Sequence, residues 1–243
     1  MDFSKFLDAY TARARLLPGL VTVLPLAVTV YAWNPGNLLD WNSLGAILTG
    51  FGGMILLSFI ARDLGKSVEN RLFKKWTGRP TELAIMHSGP MDPPLLTRRH
   101  AAIRLLFPDV DIPTAEEEAV DREAACKRFA TITTLMISHC RNKRKFPLLF
   151  EENCNYGFRR NMLGMKPIGL TISLATSIAL ALLLFMAFSL HQHVPVIAIA
   201  LEAVNVVMLL VWLFWVNEAS VRKGADLYAA RLFEVLDTVR SAA

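Results

Sequence analysis

The chain keeps its charges apart from its apolar residues, and that segregation constrains its fold more than any other feature. Leu16 to Trp33 and Ser43 to Ile60 each run 18 residues without a charge. Ile168 to Leu190 runs 23, and Val194 to Val216 runs 23 with the single acid Glu202. At about 1.5 Å per residue, these lengths reach roughly 27 Å and 34 Å, against a hydrocarbon core of about 30 Å. A soluble chain interleaves the two kinds of residue, and a membrane chain separates them. That separation is how 53% hydrophobic residues and a mean hydropathy of +0.38 coexist with a chain that is 19% charged. Pro18 and Pro25 in the first run are tolerable in a membrane helix. Gly45, Gly50, Gly52 and Gly53 in the second suit close approach to another helix.

Lys and Arg set the orientation. Lys5, Arg13 and Arg15 precede or open the first run, nineteen bases fall between Ala61 and Lys166, and Arg222, Lys223, Arg231 and Arg240 follow the last run. The short connections Asn34 to Asn42 and His191 to His193 carry none, so all 26 bases fall on one side of a four-span topology. By the positive-inside rule that side is cytoplasmic. The expectation is an all-α, multi-pass protein of the bacterial inner membrane, with four transmembrane helices in two hairpins and both termini cytoplasmic. Its segments are a cytoplasmic N-terminus (1–15), a first hairpin (16–60), a helical basic cytoplasmic domain (61–167), a second hairpin (168–216) and a cytoplasmic C-terminal helix (217–243). A cleaved export signal is the competing reading of the first run, with Val30 and Ala32 at small-residue cleavage positions. The run is long for such a signal, and Trp33 and Trp41 fit interface anchors.

In the middle domain, Arg62 to Trp76 reads as a helix continuing from the second span and stopped by Gly78 and Pro80. Thr81 to Thr97 reads mostly as loop and Arg98 to Phe107 as a short helix. Thr114 to Glu117 is a capping box opening a helix that should run to about Cys140, with Phe129, Ile132, Met136 and Cys140 as its apolar stripe. Beyond Val216 the fourth span should continue as one long helix. Its seam of Val221, Ala225, Tyr228, Leu232, Val235 and Val239 fits either subunit contact or packing on the middle domain.

No phosphate loop, metal-ligand spacing or nucleophile elbow occurs, so no catalytic residue, metal or cofactor is expected and an enzyme is the weaker class. Cys126, Cys140 and Cys154 match no zinc pattern and, on the cytoplasmic side, read as reduced thiols. His87, His100, His139, His191 and His193 read as surface or structural.

Two features stand out. The run from Arg141 to Lys166 carries Arg141, Lys143, Arg144, Lys145, Arg159 and Arg160 among Phe146, Phe150, Tyr156 and Phe158. Cations neutralise phosphates and aromatic faces accept bases, which fits an anionic ligand such as single-stranded nucleic acid. The competing reading is contact with anionic membrane lipid. The second feature is Glu202 with Asn205, roughly 12 Å and 17 Å from the outer end of the fourth span and one turn apart. An ionisable group there marks a polar pathway or pore. The competing reading is a hydrogen bond to a neighbouring helix, with Ser177 of the third span at a depth similar to Asn205.

The stretches from Phe146 to Asn153 (FPLLFEEN), from Tyr156 to Asn161 (YGFRRN) and from Gly164 to Pro167 (GMKP) resemble a family of bacterial four-helix membrane proteins, the channel-forming effectors of the Hailong antiphage defence system. The resemblance implies a homo-oligomeric ion channel, a tetramer being favoured. Single-stranded DNA made by a partner nucleotidyltransferase holds such a channel shut, and loss of that DNA opens it and depolarises the cell. On that basis Arg141, Lys143, Arg144, Lys145, Phe146, Tyr156, Arg159 and Arg160 are candidate DNA contacts, and Glu202 and Asn205 candidate pore residues. A membrane-anchored binding or scaffold module without a pore is the alternative.

Overall fold

The computed structural model describes residues 8–33, 43–194 and 196–239, with the side chains of residues 33, 43–51 and 237–239 outside that description. Every regular element among its described residues is a helix, with no strand. A short helix α1 (Ala9–Thr11) passes through a π-helical turn (Ala12–Leu16) into α2 (Leu17–Trp33). Helix α3 is Ser43–Lys75, followed by α4 (Pro80–Leu83), α5 (Pro93–Leu106), α6 (Ala115–Val120) and α7 (Arg122–His139). Helix α8 runs unbroken over Pro147–Ser189, α9 (Val196–Leu210) ends in a π-helical turn (Val211–Trp215), and α10 is Glu218–Val239.

Three described helices are long and apolar enough to cross a membrane: Ala9–Ala32, Pro147–Ser189 and Val196–Trp215. The expected second span, Ser43 to Ile60, lies on α3, and the side chains of its first half lie outside the described residues.

The chain divides into two compact units. One, called here the membrane unit, comprises Met1–Glu69 and Gly157–Val221. In it α2 and α9 pack together, and α8 runs antiparallel to α9. Ser177 bonds Glu202, Gly169 lies under the Trp212 ring, and Lys166 bonds the Leu213 carbonyl, so the two helices keep one register throughout. Small residues set the spacing. A Cβ on Gly164 would lie 2.6 Å from the Gly65 backbone nitrogen, and one on Gly169 would lie 2.3 Å from the Trp212 ring. Such approach is the usual packing device where lipid removes the hydrophobic drive between helices. Gly52 and Gly53 take no part in it, since a Cβ there meets no described atom within 4 Å.

The basic unit comprises Asn70–Tyr156 and Arg222–Ala243. Its core joins Ile85, Ile103, Phe129, Ile132, Met136 and Cys140 to Ala229, Leu232, Phe233 and Leu236, with Tyr228 and Val235 packed against them. The apolar stripe on α7 is therefore core, and Tyr228, Leu232 and Val235 of the α10 seam pack within this unit.

Three helix boundaries differ from expectation. The capping box forms, with Glu117 N–H donating to Thr114 Oγ1 at 3.2 Å and Thr114 N–H to Glu117 Oε2 at 2.9 Å. The helix it opens stops after six residues at Asp121 (φ −135°, ψ 85°), which accepts from Ala124 N–H and caps α7 instead. An internal Asp competes with the helix for backbone donors. Helix α5 starts at Pro93 rather than Arg98, since proline fits the first turn. The fourth span and α10 are not one helix. Val216 is extended (φ −82°, ψ 96°), and Asn217 restarts the chain by accepting from Ser220 N–H at 2.8 Å.

Candidate functional site

The eight residues proposed for anion binding are divided between the two units. Arg141, Lys143, Arg144 and Lys145 are exposed on the connection between α7 and α8. Asn142 shapes that turn, its Oδ1 accepting from Arg144 N–H at 3.0 Å and Lys145 N–H at 3.3 Å. Half-buried Phe146 lies under Lys145 Nζ at 5.4 Å, and Phe150 under Lys143 Nζ at 5.7 Å. These rings already carry a cation each. Tyr156 is buried and stacked on Tyr228, centroids 6.4 Å apart, so it is a packing residue and not a platform for a base.

Arg159 and Arg160 belong to the membrane unit and have partners there. Arg159 Nη1 donates to the Ser220 hydroxyl at 2.8 Å and lies over the Trp215 ring. With Lys166 Nζ, which donates to the Val216 carbonyl at 2.7 Å, it braces the break before α10. Arg160 is buried, pairing with Glu69 at 2.7 Å while Glu69 also accepts from Lys66. Beside it Asn161 Nδ2 donates to the Ala14 carbonyl at 2.6 Å. Arg160 is thus a structural cation whose removal would take the guanidinium from a buried carboxylate, and an anionic ligand has no access to it. Of the proposed contacts, the exposed four-cation turn is what stays open to a polyanion.

Inside the membrane unit the polar residues form a connected set. Ser177 Oγ donates to Glu202 Oε1, and Asn205 Nδ2 donates to Thr29 Oγ1 at 2.9 Å. Asn205 is thus tied to the first span, and Ser177 to the glutamate rather than to the asparagine. Thr29 gives its own hydroxyl hydrogen to the Pro25 carbonyl at 2.9 Å. Its oxygen is left only to accept, which fixes the Asn205 amide with Oδ1 turned the other way. Glu202 Oε2, Asn205 Oδ1, Ser173 Oγ and Trp212 Nε1 are all closed from solvent and have no hydrogen-bond partner among the described residues. Buried polar atoms left unpaired cost about 1–3 kcal/mol each, so four along one seam require a reason.

Ser173, Thr29 and Trp212 escaped the sequence reading. The signal was there in the serines at positions 173 and 177, one turn apart, and in threonines placed four residues after Pro18, Pro25 and Pro167. Each of those threonines donates to the proline carbonyl.

Among the described residues no cluster of histidine, cysteine or acid residues is placed to hold a metal. In the basic unit, burial pushes the Cys140 thiol above its ordinary value, with Lys145 opposing, so it stays protonated and unreactive. No family model, curated protein or solved structure matches the chain.

Proposed function

We propose that this chain is an oligomeric ion channel of the bacterial inner membrane, with four transmembrane helices in two hairpins and both termini cytoplasmic. The observation that carries the reading is the unpaired Glu202 Oε2 on a span whose other residues are mostly apolar, with the unpaired Asn205 Oδ1 one turn further along. A carboxylate at that depth costs about 2.5–3.5 kcal/mol at the least and is retained where it faces a polar path. A single copy has no room for an aqueous pore, so conduction requires assembly, a tetramer being favoured. Gly52 and Gly53, where an added Cβ meets no described atom within 4 Å, support close approach of a neighbouring subunit.

The gate is a polyanion, single-stranded DNA supplied by a partner nucleotidyltransferase, attracted by the turn from Arg141 to Lys145. That turn, repeated around a ring, concentrates positive potential at one mouth. Release of the polyanion opens the pore and depolarises the membrane as an antiphage response. The identity of the polyanion and the defence role rest on the resemblance of the stretch from Phe146 to Pro167.

The scaffold reading is favoured by one observation, the bonds from Ser177 to Glu202 and from Asn205 to Thr29, which act as interhelical glue. Conductance of purified protein in planar bilayers, with and without short single-stranded DNA, separates the two. Currents blocked by DNA in the wild type and not in the Lys143→Ala, Arg144→Ala, Lys145→Ala triple variant support the channel and its ligand. Currents indifferent to DNA remove the ligand. No current from a folded oligomer leaves the scaffold.

A further inference from the structure

The bases that border the apolar runs of the membrane unit are not alike. Arg159, Arg160 and Lys166 have partners within the protein. Arg15 is half-buried, and its Nε is closed from solvent with no hydrogen-bond partner among the described residues. Its guanidinium lies over the Tyr10 ring, 5.4 Å from the centroid. Three segments meet beside it. Buried Asn161 of α8 donates from Nδ2 to the Ala14 carbonyl at 2.6 Å. A Cβ on Gly65 of α3 would fall 1.9 Å from Asn161 Oδ1, and one on Gly157 of α8 would fall 2.9 Å from the Tyr10 hydroxyl. Arg62 and Arg160 are thereby close enough for their like charges to act on Arg15.

The local charge does not cancel. Arg160 is committed to Glu69, which Lys66 shares, and Asp8 partly offsets Arg15. The five bases Arg13, Arg15, Arg62, Lys66 and Arg160 stand against the three acids Asp8, Asp63 and Glu69, which leaves two positive charges. Position says what neutralises them. Arg15 directly precedes the charge-free run 16–33, and Arg62 follows the charge-free run 43–60 by two residues. The level at which apolar spans end is the level of the lipid headgroups. A guanidinium fork matches phosphate oxygens better than an ammonium does, and basic pockets between membrane helices on the cytoplasmic side hold anionic headgroups.

We propose that Arg15, in the π-helical turn before α2, and Arg62 of α3 form a binding site for the headgroup phosphate of an anionic phospholipid, with buried Arg160 adding positive potential. The lipid is then a fixed part of the junction of the three segments. This goes beyond the channel reading and needs only that α2 and α3 cross the membrane.

The test is thermal unfolding of the purified full-length chain in nanodiscs, followed by tryptophan fluorescence, as phosphatidylglycerol replaces phosphatidylcholine at fixed pH and ionic strength. A lipid held only by the folded state raises Tm with its mole fraction, and the rise saturates once the site is filled. In Arg15→Gln and in Arg62→Gln the same rise needs about fivefold more phosphatidylglycerol, the loss of one basic contact. Arg13→Gln removes a charge from the same segment without touching the site and leaves the titration where it was. Exposed Arg62 keeps the test if Arg15→Gln does not fold. A Tm indifferent to phosphatidylglycerol overturns the site. So does an equal shift in Arg13→Gln and Arg62→Gln, which reports the surface potential of the bilayer alone. Inorganic phosphate that reproduces the rise in pure phosphatidylcholine overturns the lipid and gives the two arginines to a soluble phosphate.

Discussion

Glu118 in the basic unit and Glu202 in the membrane unit are both acids drawn into the fold, and they are treated in opposite ways. Glu118 is 4% exposed, and its two oxygens accept from His87 N–H at 2.7 Å and Ser88 N–H at 3.0 Å. Glu202 has one oxygen bonded to Ser177 and the other left without a donor. The first arrangement is complete and needs no ligand. The second is complete only with something added. The same contrast holds for cations, since Arg160 is closed in an ion pair and the turn from Arg141 to Lys145 is exposed. Saturated polar groups hold this molecule together, and unsaturated or exposed ones are where it can respond.

The sharpest way to break that comparison is to unpair a saturated group. Arg160→Ala takes the guanidinium from buried Glu69, to which Lys66 stays paired, and is expected to cost about 2–3 kcal/mol. Denaturant or detergent titration reads this out, and Glu69→Leu on the same background recovers much of the loss. A smaller effect distinguishes the two glutamates by sign. Glu118→Gln keeps one acceptor and turns the other into a donor facing a backbone N–H, and loses about 2 kcal/mol. Glu202→Gln keeps an acceptor for Ser177 Oγ, removes a charge from the span and is neutral or stabilising by about 1 kcal/mol. Parallel melts of the two variants check it.

Acid sharpens the same point within the basic unit. Burial depresses the His100 imidazole, with the bond from its Nε2 to the Ile85 carbonyl at 2.7 Å opposing, so the folded state holds it neutral. The unfolded chain binds that proton more readily. Stability is therefore present above about pH 6.5 and is lost as pH falls toward the lower folded value. Burial raises the Glu118 carboxyl, but the bonds from Ser88 and His87 outweigh it and leave the group depressed. Its contribution is present above the unfolded carboxylate range and is lost as pH falls through the folded value, below the histidine window. Melts from pH 7 to pH 5 are expected to fall in the wild type and to flatten in His100→Gln, which keeps a donor for Ile85. The smallest effect belongs to the exposed turn. Alanine at Lys143, Arg144 and Lys145 changes stability by less than about 0.5 kcal/mol per site, while abolishing any response to a polyanion.

The sequence makes the helical class legible because charge segregation is a property of composition along the chain and survives any detail of packing. It also marks the α7 stripe and the Thr114 cap, which are local. It hides the break at Val216, because Asn217 acts as a cap only once Ser220 is helical beside it, and propensity sees no breaker there. The site is half legible. Glu202 and Asn205 stand out by being polar where little else is. Ser173 and Ser177 do not, since a serine in a span is ordinary until the register of the opposing helix is known. Arg160 and Tyr156 mislead for the complementary reason, because a base or an aromatic ring looks like a ligand contact until its burial is seen.

Cation current through purified protein in planar bilayers, wild type against Glu202→Gln at matched insertion, tests the central claim most directly. The account predicts that the substitution, which leaves the fold and the Ser177 contact in place, cuts the current about tenfold or more, the loss of roughly 1.4 kcal/mol of favourable ion interaction. Equal currents in the two proteins would contradict it and reduce Glu202 to interhelical glue.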